Sequence, residues 1–128
     1  MTFTITPLFV ALFAFMNLAL IFPIGPYRAT VKIPFWGGED KLDRMVRGHG
    51  NFIEVVPLAL ITMATAEILG ANGKLIIGCG TVLLLARLVH YITLQSNPIG
   101  KGRLVGTLVS MLSTLILIGA ILFELYFA

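Results

Sequence analysis

Charge is what this 128-residue chain has least of: Asp, Glu, Lys and Arg make up 12% of it, about half the roughly 25% of a soluble domain. With glycine counted as apolar and tyrosine left out, about two-thirds of the chain is apolar, against roughly 45–50% in soluble proteins. A soluble fold of this length could not hide so much apolar surface, because most of its residues must face water. Cysteine occurs once, so no disulfide framework is available. Cys79 lies in an apolar run with no activating base within a helical turn, which marks it as a packing residue. No basic residue precedes the first apolar stretch, so the start of the chain lacks the charged lead of a cleaved signal peptide and reads as a retained helix. Soluble, disordered and disulfide-stapled classes are excluded, and one small membrane domain remains.

The few charges are unevenly placed. Nine of the fifteen lie between Arg28 and Glu54, while residues 1–27, 55–66, 75–86, 88–100 and 104–123 carry none. The net charge of +3 and pI near 9.4 therefore speak of membrane orientation, and no nucleic-acid partner is expected. Four apolar segments, near 5–25, 45–69, 75–95 and 103–127, are long enough to cross a bilayer, which takes ~20 residues at 1.5 Å each. Breaks are marked by Gly25-Pro26, Pro34 and Gly37-Gly38, by Gly70-Ala71-Asn72-Gly73, and by Asn97-Pro98-Ile99-Gly100. The expected fold is an all-α integral membrane protein, an antiparallel four-helix transmembrane bundle.

Arg28, Lys32, Lys41, Arg44, Arg47, Lys101 and Arg103 fall at one membrane face and only Lys74 at the other. That asymmetry places loops 26–44 and 96–102 in the cytoplasm and both termini on the far side. In a bacterium the membrane would be the cytoplasmic (inner) one. Tyr27 and Trp36 suit the membrane interface. Gly106, Ser110 and Ser113 or Thr114 form a stripe of small residues on the fourth span, and Gly78-Cys79-Gly80 plays the same part on the third, letting helices approach closely. Asn17, in the middle of the first span, reads as a hydrogen bond between helices.

The chemistry concentrates where the second span begins. Arg47, Asn51 and Glu54 are spaced i, i+4, i+7 and share one helix face, with Arg44 a turn earlier. Glu54 lies ~15 Å along the helix from Arg44, inside the apolar slab, where an uncompensated charge costs at least ~2.5–3.5 kcal/mol. Arg87 lies at comparable depth on the antiparallel third span and is the partner the spacing offers. His90 follows one turn on from Arg87, and Arg103 opens the fourth span at the same level. Such a set suits an anionic, peptide-like ligand with an ammonium group: arginines for carboxylates, an amide for an amide, a glutamate for the amine. No metal site is expected.

Asp43-Arg44-x-x-Arg47-Gly48-His49-x-Asn51-x-x-Glu54-x-x-Pro57 resembles the signature of the MAPEG family, membrane-associated proteins in eicosanoid and glutathione metabolism. Ala86-Arg87-Leu88-Val89-His90-Tyr91 is similar to that family's third-helix motif, and Arg103 falls where its fourth-helix arginine is expected. The resemblance covers essentially the whole chain. It implies a homotrimer binding glutathione as cosubstrate between neighbouring subunits near the cytoplasmic face, with lipophilic small molecules approaching from the bilayer. Carried over, Arg47, Asn51, Glu54 and His90 would contact glutathione, Arg87 would orient the site, and Arg103 would be the catalytic residue that stabilises the thiolate. The implied chemistry is transfer of glutathione to lipophilic electrophiles or their reduction. Where active relatives have a tyrosine one turn beyond His90 this chain has Leu94, and the polar position after the fourth-helix arginine is Leu104. A non-catalytic relative that binds a ligand or serves as a structural subunit therefore stays open, as does a small four-helix exporter. The second substrate and the pathway are not written in the sequence.

Overall fold

The computed structural model describes residues 3–128. They form five helices: α1 (Ile5–Ile21), α2 (Ile24–Val31), α3 (Asp40–Leu69), α4 (Gly73–Ser96) and α5 (Lys101–Tyr126). Helices α1 and α2 follow one another across Phe22-Pro23, both in helical conformation, and together make one of four segments long and apolar enough to span a membrane. The four-helix antiparallel membrane bundle expected from the sequence is the fold observed. The Gly25-Pro26 break is not: helix continues to Val31, because a proline in the first turn loses only an N–H that has no helical partner. The second crossing also begins earlier than expected, at Asp40, so the connecting loop is only 32–39. Glu39 caps that start by accepting from the Leu42 N–H at 2.8 Å, and this bond is the main cause holding its carboxyl below the usual carboxylate range.

Helices α3 and α4 are central. α1 packs against both from one side and α5 packs against both from the other, and among the described residues the backbones of α1 and α5 do not come close. The buried residues of α1 are Thr6, Phe9, Phe13, Met16 and Leu20, alternating steps of three and four that draw one stripe along a helix. They meet Phe52, Val56, Ala59, Met63 and Ala66 of α3 and Ile76, Cys79 and Leu83 of α4. Leucines, isoleucines and phenylalanines on the outer faces, such as Phe15, Leu18 and Ile92, are left for lipid.

Small residues bring the helices together largely where the sequence suggests. A Cβ on Gly106 would stand 2.7 Å from the Ala86 carbonyl oxygen and 2.8 Å from the His90 Cβ, and one on Gly80 would meet the Phe9 ring at 2.5 Å. Ser113 donates to the Cys79 carbonyl at 2.8 Å, and Cys79 is buried as a packing residue. Gly78 departs from the expectation: nothing lies within 4 Å of the Cβ it lacks, so it opens a groove rather than closing a contact. Asn17 behaves as expected, its Oδ1 lying 3.1 Å from Nε2 of His49 across α1 and α3.

Glu67, to which the sequence assigned no task, closes the other end of the bundle. Its carboxylate accepts from the backbone N–H groups of Thr4 (2.9 Å), Ile5 (2.7 Å) and Thr6 (2.6 Å). These are the first amides of α1, which have no partner within their own helix and carry the positive end of its dipole. One side chain from the last turn of α3 thus satisfies an entire helix terminus. Glu67→Ala should destabilise the folded protein by at least about 1–3 kcal/mol, the cost of stranding a buried donor. Thermal unfolding in detergent will show this as a lowered midpoint, and an unchanged midpoint would mean that water satisfies the same amides.

Candidate functional site

The deepest charge in the bundle is Arg87, 2% exposed. Its guanidinium is gripped by groups from two other helices: Nε donates to Ser110 Oγ at 2.9 Å, Nη2 to the Gly106 carbonyl at 2.7 Å, and Nη1 to Asn51 Oδ1 at 2.7 Å. Ser110 also donates to the Gly106 carbonyl at 2.8 Å, so α5 presents a joined pair of acceptors. The pairing of Glu54 with Arg87 expected from the sequence is not formed. Glu54 instead meets Arg47 on its own helix, at 3.1 and 3.4 Å through two parallel bonds. The reason is angular. Arg47 and Glu54 lie two helical turns apart on a face of α3 that turns outward, where their side chains are 56% and 54% exposed. Asn51, between them in sequence and rotated toward α4, is the residue that reaches Arg87.

The six candidate residues therefore form two neighbouring groups and one outlier. Asn51, Arg87 and His90 line a crevice with Leu20, Gly48, Phe52 and Tyr91 that is too tight to hold a water molecule. His90 is buried at 5% exposure and lies in the electrostatic reach of Arg87, Arg103 and Arg47. Arg47 and Glu54 stand outside that crevice on the open face of α3. A groove of about 360 Å³ begins at Glu54 and runs between α3 and α5 past Leu58, Ser110, Thr114 and Ile118. Arg103 is the outlier. It donates to the Pro98 carbonyl, its Nε is buried without a partner, and it lines a separate cavity of about 310 Å³ at the α4–α5 corner with Ile99, Gly100, Leu104 and Thr107.

Supporting residues hold this level of the bundle in register. Gln95 donates to the Arg44 carbonyl at 3.0 Å, tying the last turn of α4 to the first turns of α3. Arg44 pairs with Asp40 at 2.6 Å, one turn back on its own helix. Gly48 admits the Tyr91 ring, which a Cβ would meet at 2.7 Å. Sequence reading counted Ser110 and Gly106 only as small residues and did not weigh Gln95. A polar hydroxyl at mid-span, opposite the mid-span arginine of the neighbouring helix, was the available signal for Ser110.

Because Asn51 accepts from a guanidinium that can only donate, its amide oxygen must face Arg87 and its NH₂ must face away. The arrangement turns one buried charge into an oriented amide donor beside an exposed arginine and carboxylate. Chemically such a set can donate to carboxylate or carbonyl oxygens and accept from an ammonium group.

Ser110→Ala should cost about 1–3 kcal/mol of stability, since it leaves the Arg87 Nε–H buried and unpaired. Glu54→Gln leaves every bond of Arg87 intact, so its cost comes only from the partner lost to Arg47. Combined with Arg87→Leu it should be additive within about 0.3–0.5 kcal/mol. A double-mutant cycle by thermal unfolding measures both, and strong coupling would show that Glu54 and Arg87 do meet.

Comparison with known proteins bears on this geometry. The model of the MAPEG family matches residues 6–123. Inner membrane protein YecN of Escherichia coli (strain K12) is 32% identical over 88 residues, a stretch covering 68% of this chain and 67% of that protein. The protein of the same name from Escherichia coli O6:H1 gives the same figures. The match spans all four membrane crossings and every residue of the Arg87 cluster, and the chain belongs to the MAPEG family.

Proposed function

We propose that this protein assembles as a homotrimer, binds glutathione between its subunits at the cytoplasmic side of the membrane, and offers the bound thiol to lipophilic electrophiles that arrive through the bilayer. The observation that carries the reading is the Arg47–Glu54 pair, half exposed on the outside of a membrane-spanning helix. Charges facing hydrocarbon cost at least ~2.5–3.5 kcal/mol on the most lenient scale. A neighbouring copy with a polar ligand between the two would remove that cost. The donor set fits the ligand. Arg47 suits a carboxylate, the NH₂ of Asn51 suits a peptide carbonyl and Glu54 suits the ammonium, while His90, buried beside Arg87, would reach the ligand only if the crevice opened. Arg87 positions Asn51 without reaching the ligand. Arg103, which has a donor to spare, would raise the thiolate fraction of the sulfur by its positive field.

The Escherichia coli relatives are named as inner membrane proteins, which supports an inner-membrane protein here. The excess of Lys and Arg at the end of the bundle where α2 meets α3 and α4 meets α5 (Arg28, Lys32, Lys41, Arg44, Arg47, Lys101 and Arg103, against Lys74 at the other end) supports a cytoplasmic site with both termini on the opposite face. Family membership favours this reading over the exporter. A second reading, a relative that binds without catalysing, is favoured by Leu94, buried at 3% one turn beyond His90, and by Leu104, 61% exposed beside Arg103. Neither can supply the hydroxyl that would hold a thiolate.

Calorimetry of detergent-solubilised protein should show saturable glutathione binding. Arg47→Ala should weaken it about tenfold or more, the loss expected for a charge-assisted hydrogen bond of ~1.5–3 kcal/mol. Turnover of a chlorodinitrobenzene-type acceptor then separates enzyme from binder. If the protein is an enzyme, Arg103→Ala should lower the rate ~10²–10³-fold and raise the pH at which bound glutathione shows thiolate absorbance. Absence of saturable binding in the wild type would overturn the reading.

A further inference from the structure

The α2–α3 loop displays its aromatic residues by construction. Phe35 and Trp36 are 75% and 88% exposed, and Ile99, on the other loop at the same end of the bundle, is 95% exposed. Among the described residues the non-glycine positions with left-handed backbone are Lys32 (φ 57°) and Trp36 (φ 56°), both in this loop. A bulky side chain disfavours that conformation. It is held by Arg28, whose Nη1 donates to the Trp36 carbonyl at 2.6 Å and to the Ile33 carbonyl at 3.3 Å, so the loop is wrapped around a guanidinium. A strained backbone fastened in a shape that pushes Trp and Phe outward makes sense only if something apolar receives them.

The charges around the loop identify the receiver. All three acids are already engaged: Glu39 with the Leu42 N–H, Asp40 with Arg44, and Asp43 with the Gly38 N–H at 2.8 Å. Lys32 and Lys101 form no ion pair among the described residues. The patch is thus aromatic at its tip, with Lys32 at its edge and Lys101 at the same end of the bundle. The loop spans eight residues between two membrane-crossing helices and cannot travel far from the bilayer they cross. A ring with an apolar body and a polar N–H, next to free cations, matches the headgroup layer of a phospholipid leaflet.

We propose that the α2–α3 loop is a lipid-docking foot, with Phe35 and Trp36 seated among the upper acyl carbons, Lys32 and Lys101 at lipid phosphates, and Arg28 as the residue that holds the foot down. The foot sets the height at which α3 leaves the membrane surface, and with it the depth of Arg44 and Arg47. This does not rest on glutathione binding.

Trp36 is the sole tryptophan, so its fluorescence reports this loop alone. The protein is reconstituted in vesicles of phosphatidylcholine and phosphatidylglycerol, with bromine carried at shallow or at deep acyl carbons. Shallow bromines should quench Trp36 strongly and deep ones weakly, and acrylamide in the water should quench it several-fold less than free tryptophan. Arg28→Gln should reverse the order, with acrylamide gaining and bromolipid losing. Strong acrylamide quenching of the wild type would place the loop in water, clear of the lipid. Protection from both quenchers would mean that another protein surface covers it. Either result overturns the proposal, and both are read on the wild type even if the variant does not fold.

Discussion

A guanidinium that cannot lose its charge, enclosed by three membrane-crossing helices and given no carboxylate, is the constraint around which this bundle is arranged. Among the described residues Arg87 is held by neutral acceptors alone: a serine oxygen, a backbone carbonyl and an amide oxygen. Each of them has consequences. Reaching the Gly106 carbonyl requires α5 to lie against α4 closely enough that a Cβ at Gly106 would collide with Ala86 and His90. Ser110 can serve only from the α5 stripe one turn on. Asn51 must turn its oxygen inward, which fixes where its NH₂ points. Removing the charge would not simply relax this region, because the acceptors it satisfies are themselves buried.

The site is therefore divided between an inner group that is fully packed and an outer group that is left open. Asn51 belongs to both, bonded to Arg87 on one side and flanked by Arg47 and Glu54 on the other. In water an exposed arginine–glutamate pair is worth little. On a helix that crosses a membrane the same pair is expensive to leave bare, and that asymmetry is what gives the outer face of α3 its functional reading.

Much of this was legible in the sequence because membrane proteins write their architecture in charge and hydropathy. The spans, their antiparallel order, the close approach at Gly106 and Gly80, and the role of Asn17 all follow from residues whose alternatives are costly in lipid. Partner choice was not legible. Matching depth made Glu54 a candidate for Arg87, but depth says nothing about rotation, and a turn of one helix about its axis sent Glu54 outward and Asn51 inward. Glu67 escaped for a related reason, since its partners are backbone amides of α1, which have no residue signature. The fastening of the α2–α3 loop by Arg28 likewise runs through carbonyl oxygens.

On the proposed reading Arg87 acts on bound glutathione only through Asn51, by fixing the direction of its amide. Glutathione affinity measured by calorimetry for the wild type, Asn51→Ala, Arg87→Lys and the double variant tests this directly. The account predicts that each single change weakens binding and that, once Asn51 is gone, changing Arg87 to lysine weakens it no further. Fully additive losses, or a wild type that does not bind, would contradict it.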